Sequence, residues 1–378
     1  MVADRRLRAA ASHRLIRAEA VPAGAAKRFI RLARQHGIDG RSLPHRRTAD
    51  RLLFLAGETE ALAGLLREAR RDAVLRSGAL AIEAALRCHD APPRRLALRH
   101  GWLPLDRTLI MGVLNVTPDS FSDGGRHLAP RRAVAAGLRM AGEGADLIDI
   151  GGESTRPGAV PVPLAEELKR VLPVVEALAG KLRRRAGPRP LLSIDTMKAE
   201  VARRAAAAGA DLINDISGLG HDPAMAAVVA ATGLPVVLQH IQGVPRTMQR
   251  APRYAGLLPE IAACLRRGIE RALRAGVGID RIVIDPGIGF GKRRRDNLAL
   301  LRHLAALRSL GRPILIGASR KSFITGTTDR PVGQRLEGSL AAEALAIAGG
   351  ADIIRAHDVL QAVRVARLCD AVLRTRDV

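Results

Sequence analysis

Aromatic side chains are scarce in this chain: Phe, Trp and Tyr together make up 2% of its 378 residues. The core must therefore be built from Ala, Leu, Val and Ile, and the apolar fraction of 47% is typical of a globular protein. Cysteines are also few, only three, and none forms a Cys-x-x-Cys pair. Their number and spacing exclude a disulfide framework or a thiolate metal site and favour a reducing compartment.

Long apolar runs are missing as well, since no segment approaches the roughly 18 consecutive apolar residues that a membrane helix needs. The N-terminal stretch is rich in Arg and poor in acids, as transit peptides are, but it lacks their enrichment in Ser. We therefore expect a cytoplasmic protein.

Acidic residues are outnumbered: 37 Asp and Glu accompany 61 Lys and Arg, which gives a formal charge of +24. Such a charge is typical of nucleic-acid-binding proteins. However, the basic residues are spread along the whole chain, and no basic stripe carries interleaved aromatics for base stacking. We attribute the charge to solvated surfaces and expect no nucleic-acid or membrane partner, although the field would attract an anionic substrate.

Eight apolar segments end on polar or ionisable residues, and Ala- and Leu-rich helical sequence separates them. They are MGVLNVTPDSFSDGG (111–125), ADLIDIGGEST (145–155), PLLSIDT (190–196), ADLINDISG (210–218), PVVLQHIQG (235–243), RIVIDPGIGFGK (281–292), PILIGASRKS (313–322) and ADIIRAHD (351–358). Eight alternating strands and helices, with polar residues where each strand ends, predict an α/β fold of the TIM (β/α)8 barrel type with its active site at that end.

The chain is about 100 residues longer than the ~250 residues of a typical barrel. The extra residues precede Trp102. We therefore divide the chain into an N-terminal extension, residues 1–100, of small α/β or helical structure, and a barrel, residues 101–378. The Pro- and Arg-containing segment 91–95 is interpreted as a linker, and no function is assigned to the extension.

The polar ends of the strands carry motifs that occur together in one family. In chain order they are NVTPDSFSDGG, GGESTRPG, SIDT, NDI, HIQGVPRTMQRAPRY, DPGIGFGK, GASRKSF and GSLAAEALAIAGGADIIRAHD. From about Leu105 to Leu373 the chain resembles the dihydropteroate synthases, the folate-pathway enzymes that sulfonamides target. The resemblance implies a transferase that joins 4-aminobenzoate to 6-hydroxymethyl-7,8-dihydropterin diphosphate and releases diphosphate. It also implies Mg²⁺ as cofactor and, commonly, a homodimer.

Three candidate site residues, Asp195, Asn214 and Asp285, terminate the third, fourth and sixth predicted strands. Side chains at these positions point into the barrel mouth, where carboxylates and an amide can hydrogen-bond a flat heterocycle that is rich in donors. The resemblance implies that these residues, joined by Lys321, bind the pterin ring and that the carboxylates stabilise its cationic form.

Two further candidates, Arg355 and His357, alternate on the eighth predicted strand and therefore point to the same side. A guanidinium and an imidazole that converge at the barrel mouth form an anion site. The resemblance implies that this site takes the diphosphate, and that Asn115 binds the associated Mg²⁺, a cation that prefers oxygen ligands.

The loops after the first and second strands contain Phe121 and the Thr155-Arg156-Pro157 turn. They resemble the two mobile loops that close over the second substrate in this family, with Phe121 against the aromatic acid. Backbone N–H groups and the hydroxyl of Ser322, at the start of a predicted helix, suit the carboxylate of 4-aminobenzoate.

The glycines of DPGIGFGK are interpreted as allowing close approach to the pterin. Lys292, the last residue of this motif, is either a solvent-facing charge or a site residue, and we favour the solvent-facing charge. Two positions depart from the common family pattern, Gln239 where a thioether is frequent and Ile288 where an aromatic is frequent. Both changes affect the packing around the pterin, so we expect altered affinity with activity retained.

Two other functions remain open at this point. A pterin-dependent methyltransferase barrel would share the ring site but would need no diphosphate site, which Arg355 and His357 argue against. A catalytically silent pterin-binding paralogue, acting as a partner subunit, is kept open by the N-terminal extension. No Ser/His/Asp or Cys/His arrangement suggests a covalent nucleophile.

Overall fold

The computed structural model describes residues 13–44, 49–117, 128–327 and 334–374. They form two compact units that divide between Ala91 and Pro92. Residues 92–100, which the sequence interpretation assigned to the extension, therefore lie in the larger unit. Among the described residues no helix combines the length and the apolar character needed to cross a membrane.

The smaller unit is a three-stranded antiparallel sheet with three helices. Its strands are β1 (His13–Val21), β2 (Asp39–Pro44) and β3 (Arg51–Glu58), in the order β1-β3-β2, and its helices are α1 (Ala23–Gln35), α2 (Thr59–Ala69) and α3 (Arg76–Asp90). Phe29, Leu53, Leu55 and Leu65 lie in its core. Of the two structures expected for the extension, α/β or helical, the described residues form the α/β one.

A short hairpin opens the larger unit, formed by β4 (Arg95–Ala97) and β5 (Trp102–Pro104). The guanidinium of Arg95 lies 4.0 Å from the centre of the Trp102 ring. Leu96 is fully buried in the same apolar cluster as the lower interior of the barrel, so the hairpin covers that end. Arg95, interpreted as part of a linker, is thus the first residue of a strand.

Eight parallel strands form the barrel, and each pairs with its neighbour in the chain. They are β6 (Leu109–Asn115), β7 (Leu147–Gly151), β8 (Leu191–Asp195), β9 (Leu212–Asp215), β10 (Val236–Gln239), β11 (Ile282–Asp285), β12 (Leu315–Ile316) and β13 (Ile353–Ala356). β13 pairs with β6, and a parallel bridge between Ile284 and Ile314 joins β11 to the segment entering β12. The predicted TIM barrel is confirmed.

Helices connect the strands and surround the barrel. They are α4 (Leu128–Glu143), α5 (Leu164–Arg183), α6 (Ala199–Ala208), α7 (Met225–Thr232), α8 (Leu257–Arg274), α9 (Arg294–Arg302), α10 (Leu336–Ala348) and α11 (Val359–Arg374). The sixth helix, α9, ends at Arg302, and a 3-10 helix, Leu304–Leu310, follows it.

The inward-facing side chains of the barrel form two layers of opposite polarity. The lower layer, toward the amino ends of the strands, is apolar and contains Leu109, Met111, Leu147, Leu212, Val237, Val283, Leu315 and Ile353. Because side chains alternate along a strand, the positions two residues further on face inward as well. Those positions are polar on five strands, with Asp149, Asn214, Gln239, Asp285 and Arg355.

A repeated Gly-Ala-Asp sequence ties neighbouring strands together at the amino ends. The three aspartates, Asp146, Asp211 and Asp352, precede β7, β9 and β13. Each carboxylate accepts a hydrogen bond from a backbone N–H of the adjacent strand or of the residue entering it. The three donors are Ile110 (2.9 Å), Leu192 (2.9 Å) and Ile314 (2.8 Å).

We expect Asp211→Ala to lower the free energy of unfolding by about 1–3 kcal/mol, because a buried backbone donor loses its acceptor. Activity per folded molecule should be unchanged, since this end of a barrel serves stability. Urea unfolding measures the first quantity, with exposed Glu176→Ala on α5 as control. Equal stability of the two variants would contradict the assigned role.

Candidate active site

One guanidinium and two carboxylates occupy the centre of the polar layer. Arg355 donates from Nε to Asp149 Oδ2 (2.7 Å) and from a terminal nitrogen to Asp195 Oδ2 (2.9 Å). Asp149 also accepts from Ser193 Oγ at 2.5 Å. Burial and the nearby Asp149 raise the pKa of Asp195 above its ordinary value, although the charge of Arg355 opposes them. Strands β7, β8 and β13 are thus joined by charge-assisted hydrogen bonds.

Asn214 extends this network to β9. Its Nδ2 donates to Asp149 Oδ2 at 3.0 Å, which fixes the orientation of the amide. Its Oδ1 is buried and has no hydrogen-bond partner among the residues that the structure describes. The strand ends one residue later than predicted, at Asp215, whose carboxylate accepts from the backbone of Ser217 and Leu219. Asn214 therefore offers an acceptor inside the barrel.

Asp285 ends β11 and begins a tight turn. Its Oδ1 accepts from the Gly287 N–H at 2.7 Å, and burial raises the pKa of this carboxyl against the opposing charge of Lys321. Gly287 has a φ of +68°, and a Cβ there would lie 1.9 Å from the carbonyl oxygen of His240. The turn therefore requires glycine at this position.

Lys292 is buried, so its interpretation as a solvent-facing charge is wrong. Only 2% of it is exposed, and Nζ contacts His240 Nδ1 (2.8 Å) and donates to the carbonyls of Gly287 (2.9 Å) and Phe290 (3.1 Å). Burial lowers the pKa of Lys292 to about 7. Burial and the charge of Lys292 lower the pKa of His240 to about 2, so its imidazole is neutral.

Side chains satisfy the other carbonyls of this loop as well. The ring of Phe290 lies 4.5 Å from Lys321 Nζ, which also donates to the carbonyl of Ile288. Three more bonds hold the loop backbone: Gln249 Nε2 to the Gly289 carbonyl (2.6 Å), Tyr254 Oη to the Gly291 carbonyl (2.7 Å), and Gly289 N–H to Asn297 Oδ1 (2.7 Å). The segment 287–291, the glycine loop, is thus anchored at every carbonyl.

The loops after β12 and β13 bring positive charge to the same rim. Arg320 has a φ of +58° and binds both carboxylate oxygens of Asp358 (2.5 and 3.0 Å). His357 Nδ1 lies 3.2 Å from Ser319 Oγ. Burial and the charges of Arg355 and Arg320 lower the pKa of His357 to about 4. Burial lowers the pKa of Lys321 to about 8, although Asp285 opposes it.

An ion cluster anchors the start of the loop after β7. Lys198 donates to the carboxylates of both Glu153 and Glu167, and Glu167 also accepts from Thr196 Oγ1 at 2.7 Å. The Gly152 carbonyl accepts from Arg170 at 2.9 Å. The base of this loop is therefore fixed to α5 and to the end of β8.

Most of the predicted site residues lie at one end of the barrel. Those on the inner face or in the adjoining loops are Asn115, Asp195, Asn214, Asp285, Lys321, Arg355 and His357. Thr155 is half-buried beyond them, Arg156 and Pro157 are exposed, and exposed Ser322 begins a 3-10 helix, Ser322–Thr327. Phe121 lies outside the described residues.

The sequence interpretation missed Asp149, Ser193 and Lys198. Asp149 and Ser193 lie within their strands, two residues before the inward-facing Gly151 and Asp195. The period of two was the available signal, because it places them on the same face as residues already selected. No comparable signal in the sequence pairs Lys198 with Glu153 and Glu167.

Comparisons with known proteins agree with this geometry. Residues 111–357 match the family model described as pterin binding enzyme. A dihydropteroate synthase of Synechocystis is 46% identical over 269 residues, 71% of this chain and 91% of that protein. The Escherichia coli K12 dihydropteroate synthase is 45% identical over 275 residues, 73% of this chain and 95% of that protein.

Solved structures give the same result. A Yersinia pestis dihydropteroate synthase in a sulfonamide drug complex has a TM-score of 0.69 and 46% identity, and the match covers 74% of this chain and all of that one (100%). A Xanthomonas albilineans dihydropteroate synthase with 4-aminobenzoic acid has a TM-score of 0.69 and 47% identity, covering 75% of this chain and 99% of that one.

We expect Lys292→Met to lower the free energy of unfolding by roughly 3 kcal/mol, because buried acceptors lose their donor. Lys169→Met on α5, where the lysine is exposed, is the control and should change stability little. Chemical denaturation of both variants provides the measurement. A Lys292→Met protein as stable as the control variant would show that the ammonium does not hold the glycine loop.

Proposed function

The chain belongs to the pterin-binding enzymes, and among them to the dihydropteroate synthases, and from that premise we propose how its residues carry out the reaction. The enzyme is a transferase of folate biosynthesis that condenses 6-hydroxymethyl-7,8-dihydropterin diphosphate with 4-aminobenzoate, giving 7,8-dihydropteroate and diphosphate. The observation that carries the site assignment is the convergence of Asp195, Asn214, Asp285, Lys321 and Arg355 at one rim of the barrel.

The pterin ring is bound by the acceptors of the polar layer. The carboxylates of Asp195 and Asp285 and the free Oδ1 of Asn214 are buried acceptors, as a ring with several N–H donors requires. Lys321 supplies a donor beside Asp285. The glycine loop forms one wall of this subsite, and its hydrogen bonds keep Asp285 in a fixed position.

The diphosphate binds to Arg355 and His357. Arg355 pairs with two carboxylates, so its guanidinium remains charged. The other N–H groups of the guanidinium can donate to phosphate oxygens. His357 is neutral in the free protein and can donate to an oxygen from its ring. Arg156, exposed on the loop after β7, adds a further positive charge.

The second substrate, 4-aminobenzoate, binds over the pterin between the loops. Thr155, Arg156 and Pro157 contact it from the loop after β7, and Ser322 binds its carboxylate. Phe121, for which the family resemblance implies a contact with its ring, lies outside the described residues. The support is their position beside the pterin residues: Lys321 adjoins Ser322, and Glu153, held by Lys198, precedes Thr155 by two residues.

Mg²⁺ fits this donor set as an ion held mainly by the diphosphate. Among the described residues no group of three His, Cys, Asp or Glu side chains could hold a metal alone. Magnesium commonly keeps several waters and binds through substrate phosphates with one or two protein oxygens. Asn115, half-buried on the inner face at the end of β6, would supply such an oxygen. When bound, the ion neutralises charge on the departing diphosphate.

The chemistry is mainly electrostatic. The pterin can delocalise positive charge at its methylene, so the C–O bond breaks first and its electron pair leaves with the diphosphate. The amine of 4-aminobenzoate then forms the C–N bond and loses one proton to the solvent or to the diphosphate. Asp195 and Asp285 stabilise the cationic ring, and Arg355 and His357 take up the negative charge of the leaving group. No protein nucleophile is needed.

Three assignments extend beyond the site. We propose a homodimer in the cytoplasm, with residues 92–378 as the catalytic unit that contains the barrel and residues 1–91 as an extension of unassigned role. The relatives align with about 70–75% of this chain while being covered almost completely. The reaction is therefore assigned to the barrel.

A coupled assay of diphosphate release tests the function. The full-length protein should release diphosphate only when the pterin diphosphate, 4-aminobenzoate and Mg²⁺ are all present. A silent paralogue would bind pterin without release, and a methyltransferase barrel would bind a corrinoid instead. Absence of release from soluble, pterin-binding protein would overturn the proposal.

We expect Asp285→Asn to lower turnover by roughly two to three orders of magnitude, because a charge that stabilises the cationic intermediate is removed. The fold should remain intact, since a buried charge is replaced by a neutral side chain of the same shape. Exposed Asp280→Asn is the control for the assay. Synthesis of dihydropteroate at the parental rate by Asp285→Asn would show that its role is wrongly assigned.

Diphosphate binding at pH 6 should be accompanied by proton uptake at His357. The pKa of His357 is about 4 in the free protein, and the bound diphosphate, an anion, raises it. At a pH between the pKa of the free protein and that of the complex, the complex therefore holds more protons than the free protein. The affinity contributed by His357 should therefore increase as the pH falls from 7 to 5. Calorimetry in two buffers of different ionisation enthalpy measures the uptake, and His357→Gln corrects for protonation of diphosphate itself. Equal uptake by both proteins would contradict the prediction.

A further inference from the structure

Gln239 has a buried amide group that the reaction described above does not use. It is the last residue of β10 and pairs with Asp285 on β11. Its side chain faces the barrel interior, because it lies two residues beyond Val237 of the lower layer. Gln239 is 5% exposed, and its Nε2 is buried without a hydrogen-bond partner in the described part of the chain.

The surroundings keep this amide inside the barrel. The glycine loop lies against it: a Cβ built on Gly287 would be 3.4 Å from Gln239 Cγ. On the other side, β9 contributes Asn214, which pairs with Val237 and has its own unpartnered Oδ1. A donor and an acceptor without partners therefore lie on neighbouring strands, at the rim where Asp285 ends its strand.

A purely structural explanation does not account for the amide. Buried polar groups in proteins are nearly always hydrogen-bonded, and an unpaired one destabilises the folded state. An apolar side chain of the same length, such as Met, would fill the space without that penalty. The unpaired carboxamide of Gln239 therefore destabilises the ligand-free protein, and a polar ligand that accepts its hydrogen bond would remove this destabilisation.

We propose that Gln239 is a specificity-determining residue whose Nε2 donates a hydrogen bond to an acceptor of the pterin ring, a carbonyl oxygen or a ring nitrogen. The inference rests on the proposed function, which assigns the ring to this subsite. Asp285 accepts and Gln239 donates at paired positions of adjacent strands. This pattern is complementary to a heterocycle that carries N–H and C=O or C=N groups side by side. A ring that lacks the acceptor would leave the amide unpaired and would bind less tightly.

The test compares pterin binding with stability in Gln239→Met. Calorimetry with unsubstituted pterin, which has no diphosphate, reports on the ring subsite alone. We expect the dissociation constant to rise roughly five- to tenfold, the effect of losing one hydrogen bond. The midpoint of urea unfolding should be unchanged or higher, because the variant buries no unpaired amide. Gln35→Met, at an exposed glutamine of α1, should change neither quantity.

Weaker pterin binding combined with an unchanged or higher unfolding midpoint distinguishes a role of Gln239 in ligand recognition from a role in packing. Parental affinity in Gln239→Met would overturn the proposal, and so would a loss of affinity that comes with a lower unfolding midpoint. If the Met side chain fits badly, Gln239→Leu provides a second variant, tested by the same pterin dissociation constant and unfolding midpoint. The KM for 4-aminobenzoate should stay at the parental value in both variants, since Gln239 faces the ring subsite.

The proposed function fails by a different result. If the parent protein itself binds no pterin, both the assigned reaction and the role of Gln239 are wrong. If the parent binds pterin and releases diphosphate while Gln239→Met binds equally well, only the role of Gln239 is overturned.

Discussion

The charge-assisted bonds of Arg355 organise the active end of the barrel. One guanidinium binds carboxylates from two other strands, and Asp149 in turn holds Ser193 and the amide of Asn214. Bonds of this kind are strong inside a protein, and a buried charge without a partner is costly, so the members depend on one another. Burial and the neighbouring Asp149 raise the pKa of Asp195, and the network leaves the Oδ1 acceptor of Asn214 without a partner among the described residues. The same contacts therefore hold the strands together and set the electrostatics of the candidate site.

The barrel separates stability from catalysis along its axis. Apolar side chains fill the lower interior, the hairpin of β4 and β5 covers it, and the three Gly-Ala-Asp turns tie its strands together. The upper interior holds the polar residues, several of which have unsatisfied groups or pKa values shifted by burial. An arrangement that is costly for the folded protein is maintained at the end where we propose that ligands bind, and the apolar half supports it.

The sequence identified candidate site residues where polar residues end an apolar strand, as Asp195 and Asp285 do. It failed where the decisive fact is a contact between distant segments. Asp149 lies inside a strand, and its three partners come from three other strands. Lys292 precedes three arginines, and a run of four basic residues indicates a solvent-exposed segment. Of these four side chains, however, that of Lys292 is buried and donates to the glycine loop. Strand β1 is rich in Arg and Ala, and it forms through pairing with β3, about 35 residues later in the chain.

The glycine loop is rich in glycine, but its hydrogen bonds restrict its motion. Gly287, Gly289 and Gly291 all have positive φ, and such a sequence is usually associated with flexibility. Here the amide hydrogens of Gly287 and Gly289 are bonded to Asp285 and Asn297, so their exchange with deuterium requires local opening of the structure. The loop should exchange as slowly as the strands beside it. A ring that binds against it meets a surface that is already ordered, and little conformational entropy is lost on binding.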